Sequence, residues 1–392
     1  MFILFHVTNF FIYSSSNLKE PWCLCHVCLF IISIVLMCFL AGFCRDVIAS
    51  PLRNFIGQPK SREGIEFWIL HALNRMGLIL RHMERVFGLG IGPLAAGTVG
   101  LLILLKVIQR LRRKQNIQDK VVVITGASSG LGKECARVFH AAGARLILCG
   151  RDQKRLQEVV EELRNQNSGK IQTYSPCTVT FDLSNTSLVS NAAEEILKCH
   201  GHVDVLINNA GISYRGNILD THVSVQRDVM ETNYFGPVAL TQAILPSMVD
   251  RRSGHIFVIS SVQGKISIPY RSAYSASKHA TQAYFDCLRA EVDRFGLQVS
   301  VISPGYIRTN LSINAVTGDG SKYGVMDKTT AKGSDPVDVA RAVLKAVCHK
   351  QKDVVLAGLL PTAAIYLRAL WPALYFRLMA SRVIKEQRVK EE

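Results

Sequence analysis

Between Lys120 and Leu356, short runs rich in β-branched and other apolar residues return at intervals, each separated from the next by a turn and a stretch with helical spacing. The runs are Val121–Ile124, Arg145–Cys149, Val203–Ile207, His255–Ser260 and Gln298–Ser303. Most show no apolar–polar alternation, so they suit strands covered on both faces. Strands of that kind, alternating with helices such as Leu131–Ala141, make parallel sheets with helices on each side. The expected fold is therefore α/β, a doubly wound parallel sheet of the Rossmann type, as a single domain over residues 118–358.

Hydrophobic residues form 48% of the 392, and they crowd ahead of residue 110, outside that domain. Trp22–Cys44 is a run of 23 residues in which His26 is the only strongly polar member, long enough to span a bilayer. Val86–Leu105 carries no charge and is followed by Lys106, Arg110, Arg112, Arg113 and Lys114. Residues 86–105 are the better anchor, because they abut the enzyme region and end in that basic cluster. Residues 1–85 form an extension in which segment 22–44 is a signal anchor, a second span or part of an unusual leader. Met76 and Met83 are alternative starts that would remove it. The basic cluster outweighs Arg75, Arg81 and Arg85 on the other side, which favours a cytosolic catalytic domain. A glycan at the sequon Asn310-Leu311-Ser312, in the substrate-loop region, would be awkward, which agrees. Leu356–Met379 is again apolar, with Arg368 and Arg377 and two prolines. The tail 359–392 either lies on a membrane surface or packs as a last helix on the domain.

The formal charge is +16, and residues 1–120 hold 14 Lys/Arg against 6 Asp/Glu. Basic residues beside apolar runs suit anionic lipid head groups, and no zinc-finger, RNP or basic-helix pattern points to nucleic acid. The expected partners are membrane lipids and a hydrophobic carbonyl or alcohol substrate, not nucleic acid. The 11 cysteines lack a disulfide framework. Cys23, Cys25 and Cys28 lack a second pair of ligands nearby, so no metal site is expected. Cys135, Cys149, Cys177, Cys199, Cys287 and Cys348 read as buried thiols.

The chemistry concentrates at strand ends. Thr125-Gly126-Ala127-Ser128-Ser129-Gly130-Leu131-Gly132 lies between a strand and a helix, where glycines let backbone approach a pyrophosphate at the helix N-terminus. The second strand ends in Gly150-Arg151-Asp152. An arginine there pairs with the 2′-phosphate of NADP(H), whereas an acid would take the ribose hydroxyls of NAD(H). Arg151 comes first and favours NADP(H); a shift of one residue to Asp152 would reverse that. Tyr274 and Lys278 stand at i and i+4, on one face of a helix. A free phenol has a pKa of about 10, and a neighbouring ammonium draws it toward neutrality, where it serves as an acid–base group. Ser261, 13 residues before Tyr274, follows a strand and is placed to polarise a carbonyl. Asn208-Asn209-Ala210-Gly211 and Pro304-Gly305 end two further strands, and parallel sheets bind ligands at such ends.

Taken together, Thr125–Gly132, Asn208–Gly211, Asn233, Ser261, Tyr274, Lys278 and Pro304–Gly305 resemble the short-chain dehydrogenase/reductase family, in order and spacing, over residues 118–358. Around Asn233, Ser272–Ala283 and Ser303–Ser312 the chain resembles its membrane-anchored reductases. The resemblance implies that Tyr274 is the general acid, that Lys278 depresses the Tyr274 pKa and holds the nicotinamide ribose, and that Ser261 orients the carbonyl. It implies that Asn233 keeps a water in the proton relay. Gly126, Gly130, Gly132, Asn209, Ala210 and Gly211 would shape the cofactor site, with Ser128 and Ser129 in the turn. Asp182 would meet the adenine, and Thr309 the carboxamide or a phosphate. Many NADP-dependent members have a basic residue where this chain has Ser129, which leaves Arg151 as the main cation for the 2′-phosphate. Family members are often dimers or tetramers, so a homo-oligomer is implied as well.

The Gly-, Ser- and Thr-rich stretch from Thr309 to Asp335 reads as a lid that sets substrate choice. An anchor, a basic cluster and an apolar tail favour a lipid-like carbonyl: an acyl- or alkyl-dihydroxyacetone phosphate, a sterol ketone or a retinal. A broad carbonyl reductase is the plainer alternative. The expected location is a membrane of the endoplasmic reticulum, with the peroxisome as the other choice. A reading of another class is a membrane-tethered protein that binds NADP(H) without turnover. The intact Asn233, Ser261, Tyr274 and Lys278 argue against it.

Overall fold

The computed structural model describes residues 116–165 and 171–391, with side chains to Ile384, together with the single residue Gly100. The expected anchor 22–44, and 86–105 apart from Gly100, lie outside the described residues. Among the described residues no helix is long and apolar enough to cross a membrane.

Seven strands form one parallel sheet: β1 (Val121–Thr125), β2 (Arg145–Gly150), β3 (Cys177–Thr180), β4 (Val205–Asn208), β5 (His255–Ile259), β6 (Gln298–Pro304) and β7 (Asp353–Leu356). Their order across the sheet is β3-β2-β1-β4-β5-β6-β7. The helices between them are α1 (Gly130–Ala141), α2 (Gln153–Arg164), α3 (Thr186–His200), α4 (Val223–Met230), α5 (Gly236–Asp250), α6 (Ser272–Val292), α7 (Lys328–Ala331) and α8 (Pro336–Cys348). After β7 come α9 (Leu359–Leu370) and α10 (Pro372–Glu391).

The β-branched runs explain the layering. Side chains along a strand alternate between faces, so Val122, Ile124, Leu146 and Leu148 enter one core with Phe139 of α1 and Val343 of α8. Val121, Val123, Ile147 and Leu206 enter the other with Ile196 of α3, Leu240 of α5 and Phe285 of α6. Every residue of β1 is buried, and each such Val or Ile removed from water contributes about 1.5–3 kcal/mol. Leu131, Cys135, Ala136 and Phe139 recur at helical spacing, which turns α1 onto the sheet.

Two expectations are refined. The chain beyond residue 358 forms a pair of helices, and α9 has no buried residue. Of the cysteines read as buried, Cys135 and Cys149 are, while Cys177, Cys199 and Cys348 are half-buried and Cys287 is exposed. Cys287 lies on the outer face of α6, between the inward Phe285 and Leu288. No described cysteine forms a disulfide.

Candidate active site

The chain runs from β1 outward to β3, then crosses back to β4 beside β1. That reversal of strand order leaves a crevice at the carboxyl ends, the usual ligand position in open parallel sheets. A cleft of about 1080 Å³ opens there.

Its cofactor side is built around the end of β1. The backbone N–H groups of Asn209 and Ala210 both donate to Thr125 Oγ1 at 3.0 Å, and Asn209 Nδ2 donates to the Thr125 carbonyl at 2.9 Å. The ends of β1 and β4 are thereby tied together. Gly126 (φ +65°) and Gly130 (φ +54°) occupy the left-handed region that glycine tolerates. A Cβ on Gly132 would sit 2.2 Å from the Gly126 carbonyl oxygen, so only glycine lets the turn fold onto the first turn of α1. Ser129, the residue capping α1, makes no side-chain cap. The first N–H groups of the helix therefore remain available to an anion. This cradle fits a dinucleotide pyrophosphate. Ser128, Ser129, Gly130 and Thr309 line the cleft.

At the tip of β2, Arg151 and Asp152 are engaged differently. Asp152 caps α2 by accepting from the Arg155 N–H at 3.1 Å, and its other oxygen pairs with Arg155 Nε at 3.3 Å. Its carboxylate is engaged, although the residue borders the cleft. Arg151 also faces the cleft, its Nη1 3.9 Å from Asp182 Oδ2. Asp182 in turn accepts from the Ser184 N–H and hydroxyl at 3.0 and 2.8 Å. Pro304 and Gly305 close the floor where β6 ends, with the Gly305 N–H donating to the Leu356 carbonyl at 2.8 Å.

On the reacting side, Tyr274 and Lys278 share a face of α6, both buried, with Lys278 Nζ 5.8 Å from the Tyr274 ring centre. Lys278 donates to the Ile259 carbonyl at 3.0 Å, at the end of β5. Burial lowers its pKa to about 8, so the ammonium still predominates at neutral pH. Burial pushes the Tyr274 phenol up, while a hydrogen bond with Ser261 and the positive charge of Arg215 draw it back down. Contrary to the expected lowering by Lys278, burial prevails and the phenol stands above its ordinary value; Ser261 and Arg215 only partly offset that, and the Lys278 ammonium is turned to the strand carbonyl. Ser261 is oriented by its own turn, its Oγ accepting from the Gln263 N–H at 3.1 Å.

Asn233 and Gly132 do not line the cleft; they stand behind its wall. Asn233 is fully buried in a π-helical turn, Glu231–Phe235, between α4 and α5. Its Oδ1 accepts from the Ile212 N–H at 2.8 Å, and its Nδ2 donates to the Ile212 carbonyl and to Ser277 Oγ, both at 2.9 Å. Its own carbonyl accepts from Thr281 Oγ1 at 3.0 Å. Asn233 therefore braces the loop after β4 against α6. Across Gly211 it adjoins Lys278: a Cβ on that glycine would lie 3.0 Å from Asn233 Oδ1 and 3.6 Å from Lys278 Nζ.

Sequence reasoning missed Arg215. It follows the Asn-Asn-Ala-Gly turn, lines the cleft and is nearly fully buried. Its Nε and Nη2 donate to Asp327 Oδ2 at 2.8 and 2.6 Å, and its Nη1 to Ser213 Oγ and the Tyr214 carbonyl at 2.6 and 2.8 Å. Arg271, just before α6, reaches the same Asp327 oxygen at 3.3 Å. Two guanidinium groups thus share one carboxylate, leaving an excess positive charge beside Tyr274. Burial is the larger influence that lowers Arg271 to about 10, and the Arg215 charge adds to it. Nothing near Arg215 in sequence announces a partner 112 residues away. Gln263 and Ser277 were missed for the same reason. Among the described residues no group of His, Cys, Asp and Glu is arranged to hold a metal ion.

Residues 120–319 match the family model described as short chain dehydrogenase. The chain is 84% identical over 310 residues to Dehydrogenase/reductase SDR family member 7B of Danio rerio, covering 79% of this chain and all of that one. Among solved structures, a metagenomic short-chain oxidoreductase in complex with NADP is 27% identical, with a TM-score of 0.50 over 62% of this chain and 99% of that one. A Burkholderia phymatum short chain dehydrogenase/reductase in complex with NAD, 24% identical, gives a TM-score of 0.58 over 66% and 96% of the two chains and shows the fold alone. Solved structures of this kind therefore hold either nicotinamide cofactor.

Proposed function

The chain belongs to the short-chain dehydrogenase/reductase family of oxidoreductases, and from that premise we propose that it is a membrane-anchored, NADP(H)-dependent reductase of a lipid-like carbonyl. One observation carries the reading: Ser261, Tyr274 and Lys278 meet in a single cleft with the glycine cradle after β1.

The bound NADPH would supply the hydride. Ser261 donates a hydrogen bond to the substrate oxygen and fixes it beside the Tyr274 hydroxyl. As negative charge grows on that oxygen, Tyr274 gives up its proton, and the phenolate left behind is stabilised by Ser261 and by the Arg215 charge. Lys278, charged at neutral pH, donates to the nicotinamide ribose and gives the phenolate a second cation nearby. Asn233 keeps Lys278 and the loop after β4 in register. The preference for NADP(H) over NAD(H) rests on Arg151 at the β2 tip, on Arg155 beside it, and on the use of Asp152 as a helix cap.

The membrane reading rests on the apolar segments 22–44 and 86–105 with their basic flank, and a lipid-like substrate on the apolar residues Leu360, Pro361, Ala364 and Met379 at the cleft. The endoplasmic reticulum and a cytosolic catalytic domain belong to the same proposal.

The test is transfer of tritium from C4-labelled NADPH into a lipid extract by detergent-solubilised protein, with Tyr274→Phe in parallel. Label in a lipid alcohol only with the parent enzyme is the expected result, and its chromatographic position identifies the substrate. No transfer by a protein that demonstrably binds NADPH would overturn the lipid-carbonyl reading.

A further inference from the structure

We propose that α9 and α10 form an interfacial platform that seats the mouth of the cleft on an anionic lipid surface, so that substrate enters from the bilayer. The proposal rests on the membrane part of the reading above and assigns that contact to residues of the catalytic unit.

Large apolar side chains crowd the exposed faces of this helix pair. Leu359, Leu360 and Leu370 are each more than 80% exposed, and Tyr366, Trp371 and Phe376 more than half. Leaving so much apolar surface in water is costly, and contiguous patches of this kind mark interaction sites. The pair is held to the body by Tyr375, which is buried and whose hydroxyl donates to the Ser267 carbonyl at 2.5 Å. Exposure of its neighbours therefore reflects a docked element with its outer faces uncovered.

Charge selects the occupant. From Val354 to Ile384 there is no Asp or Glu, while Arg368, Arg377 and Arg382 are interspersed among the apolar residues. The Arg368 guanidinium lies 5.0 Å above the Phe376 ring, so cationic and apolar groups share one surface. Arginine stems bury along apolar surface while their heads reach anionic head groups, which suits a lipid interface. A second copy laid on the same patch would oppose arginine to arginine with no acid between, so the charge pattern disfavours self-association there. At 12 residues α9 is about 18 Å long, too short to span, and Pro372 separates it from α10. Lying in the interface is the arrangement left to it.

Position gives the contact its use. Leu360, Pro361 and Ala364 of α9, with Met379 and Arg382 of α10, line the cleft that holds Tyr274. A lipid whose carbonyl is near its head group would need only to rise past these side chains to reach Ser261, without its acyl chain crossing water.

The full chain carries three tryptophans, Trp22, Trp68 and Trp371, so Trp22→Phe with Trp68→Phe leaves Trp371 as the only indole. That protein is reconstituted into phosphatidylcholine/phosphatidylserine vesicles whose acyl chains are brominated, and into vesicles of brominated phosphatidylcholine alone. Most of the Trp371 emission should be lost in the first and less in the second. Adding Leu370→Asp should restore the emission and raise KM for a long-chain ketone. Turnover of a short water-soluble ketone should not change, because Leu370 does not line the cleft. Undiminished Trp371 emission in both vesicles, in a protein that still reduces the short ketone, overturns the platform and leaves the reductase intact. A particle of doubled mass that Leu370→Asp dissociates, again without quenching, overturns it in favour of a second copy. Failure of the short-ketone reaction with quenching preserved would instead count against the reductase.

Discussion

At the Tyr274 hydroxyl, burial opposes ionisation, and Ser261 and Arg215 favour it. Removing Arg215 therefore has a definite sign. In Arg215→Met the phenol loses the charge that draws its pKa down, so the limb of the alcohol-oxidation profile that requires phenolate should move to higher pH. Asp327, Arg271, Tyr306 and Tyr323 cluster around Arg215 or Tyr274 and remain in the variant. The limb is measured as kcat/KM against pH, with Arg215→Lys expected to restore much of the shift. An unmoved limb would mean that Arg215 acts on the lid alone. Lys278 gives a second sign. Its pKa stands at about 8, so the ammonium that holds the cofactor ribose is present below that value and lost above it. NADPH affinity should weaken as pH rises through 8, and Lys278→Met should bind weakly with that dependence flattened. Isothermal titration at a series of pH values reads both. Arg215 was illegible in the sequence because its role depends on Asp327, whereas Tyr274 and Lys278, one helical turn apart, were legible through their company with Ser261, the glycine turn and Asn208–Gly211.

Among the elements, the turn between β1 and α1 carries the tightest constraint. Gly132→Ala would drive a methyl group to 2.2 Å from the Gly126 carbonyl, a backbone atom that yields only if the turn opens. Overpacking of this kind costs about 1–3 kcal/mol, and the opened turn should also bind NADPH poorly. Urea unfolding and cofactor titration on the same variant check both, and full NADPH affinity would show the turn to be more compliant than its geometry implies. Strands β1, β2, β4, β5 and β6 were readable because both their faces are buried, so their apolar runs are continuous. β3 and β7 have only four residues each and incomplete burial, and their signal was correspondingly weak. The π-helical turn at Asn233 left no trace, since one extra residue in a helical turn alters no apolar spacing that a reader can see. The lid was recognised as irregular, but its order comes from distant pairings. Val316 bridges Tyr214, Ile307 bridges Ser334, and Asp327 clamps two arginines. Breaking such a buried clamp usually costs about 3–5 kcal/mol, so Asp327→Ala should destabilise the domain by that order in urea and loosen substrate binding as well.

At the scale of the whole molecule, the largely apolar sheet of the described residues has a titratable ring set into it. His255 opens β5, buried, with Nε2 2.7 Å from Ser300 Oγ on β6. Burial is the first cause, and the nearby Lys350 charge the second, that lower its pKa to about 3. In the unfolded chain the same ring titrates near 6.5. Between those values the unfolded state binds a proton that the folded state refuses, so stability is full above about 6.5 and falls as pH drops toward 3. The slope for one such group is about 1.4 kcal/mol per pH unit, and over that window it becomes comparable to the net stability of a typical domain. Other groups also titrate in acid, so the readout is a difference. In His255→Gln the amide keeps a hydrogen bond to Ser300 without a proton to gain, and the variant should lose stability less steeply than the parent below pH 6.5. Parallel urea titrations from neutral pH to about pH 4, which takes in the upper part of the window, measure the two slopes. Equal slopes would mean that His255 takes up its proton without unfolding the sheet, and that the edge between β5 and β6 opens locally to admit water.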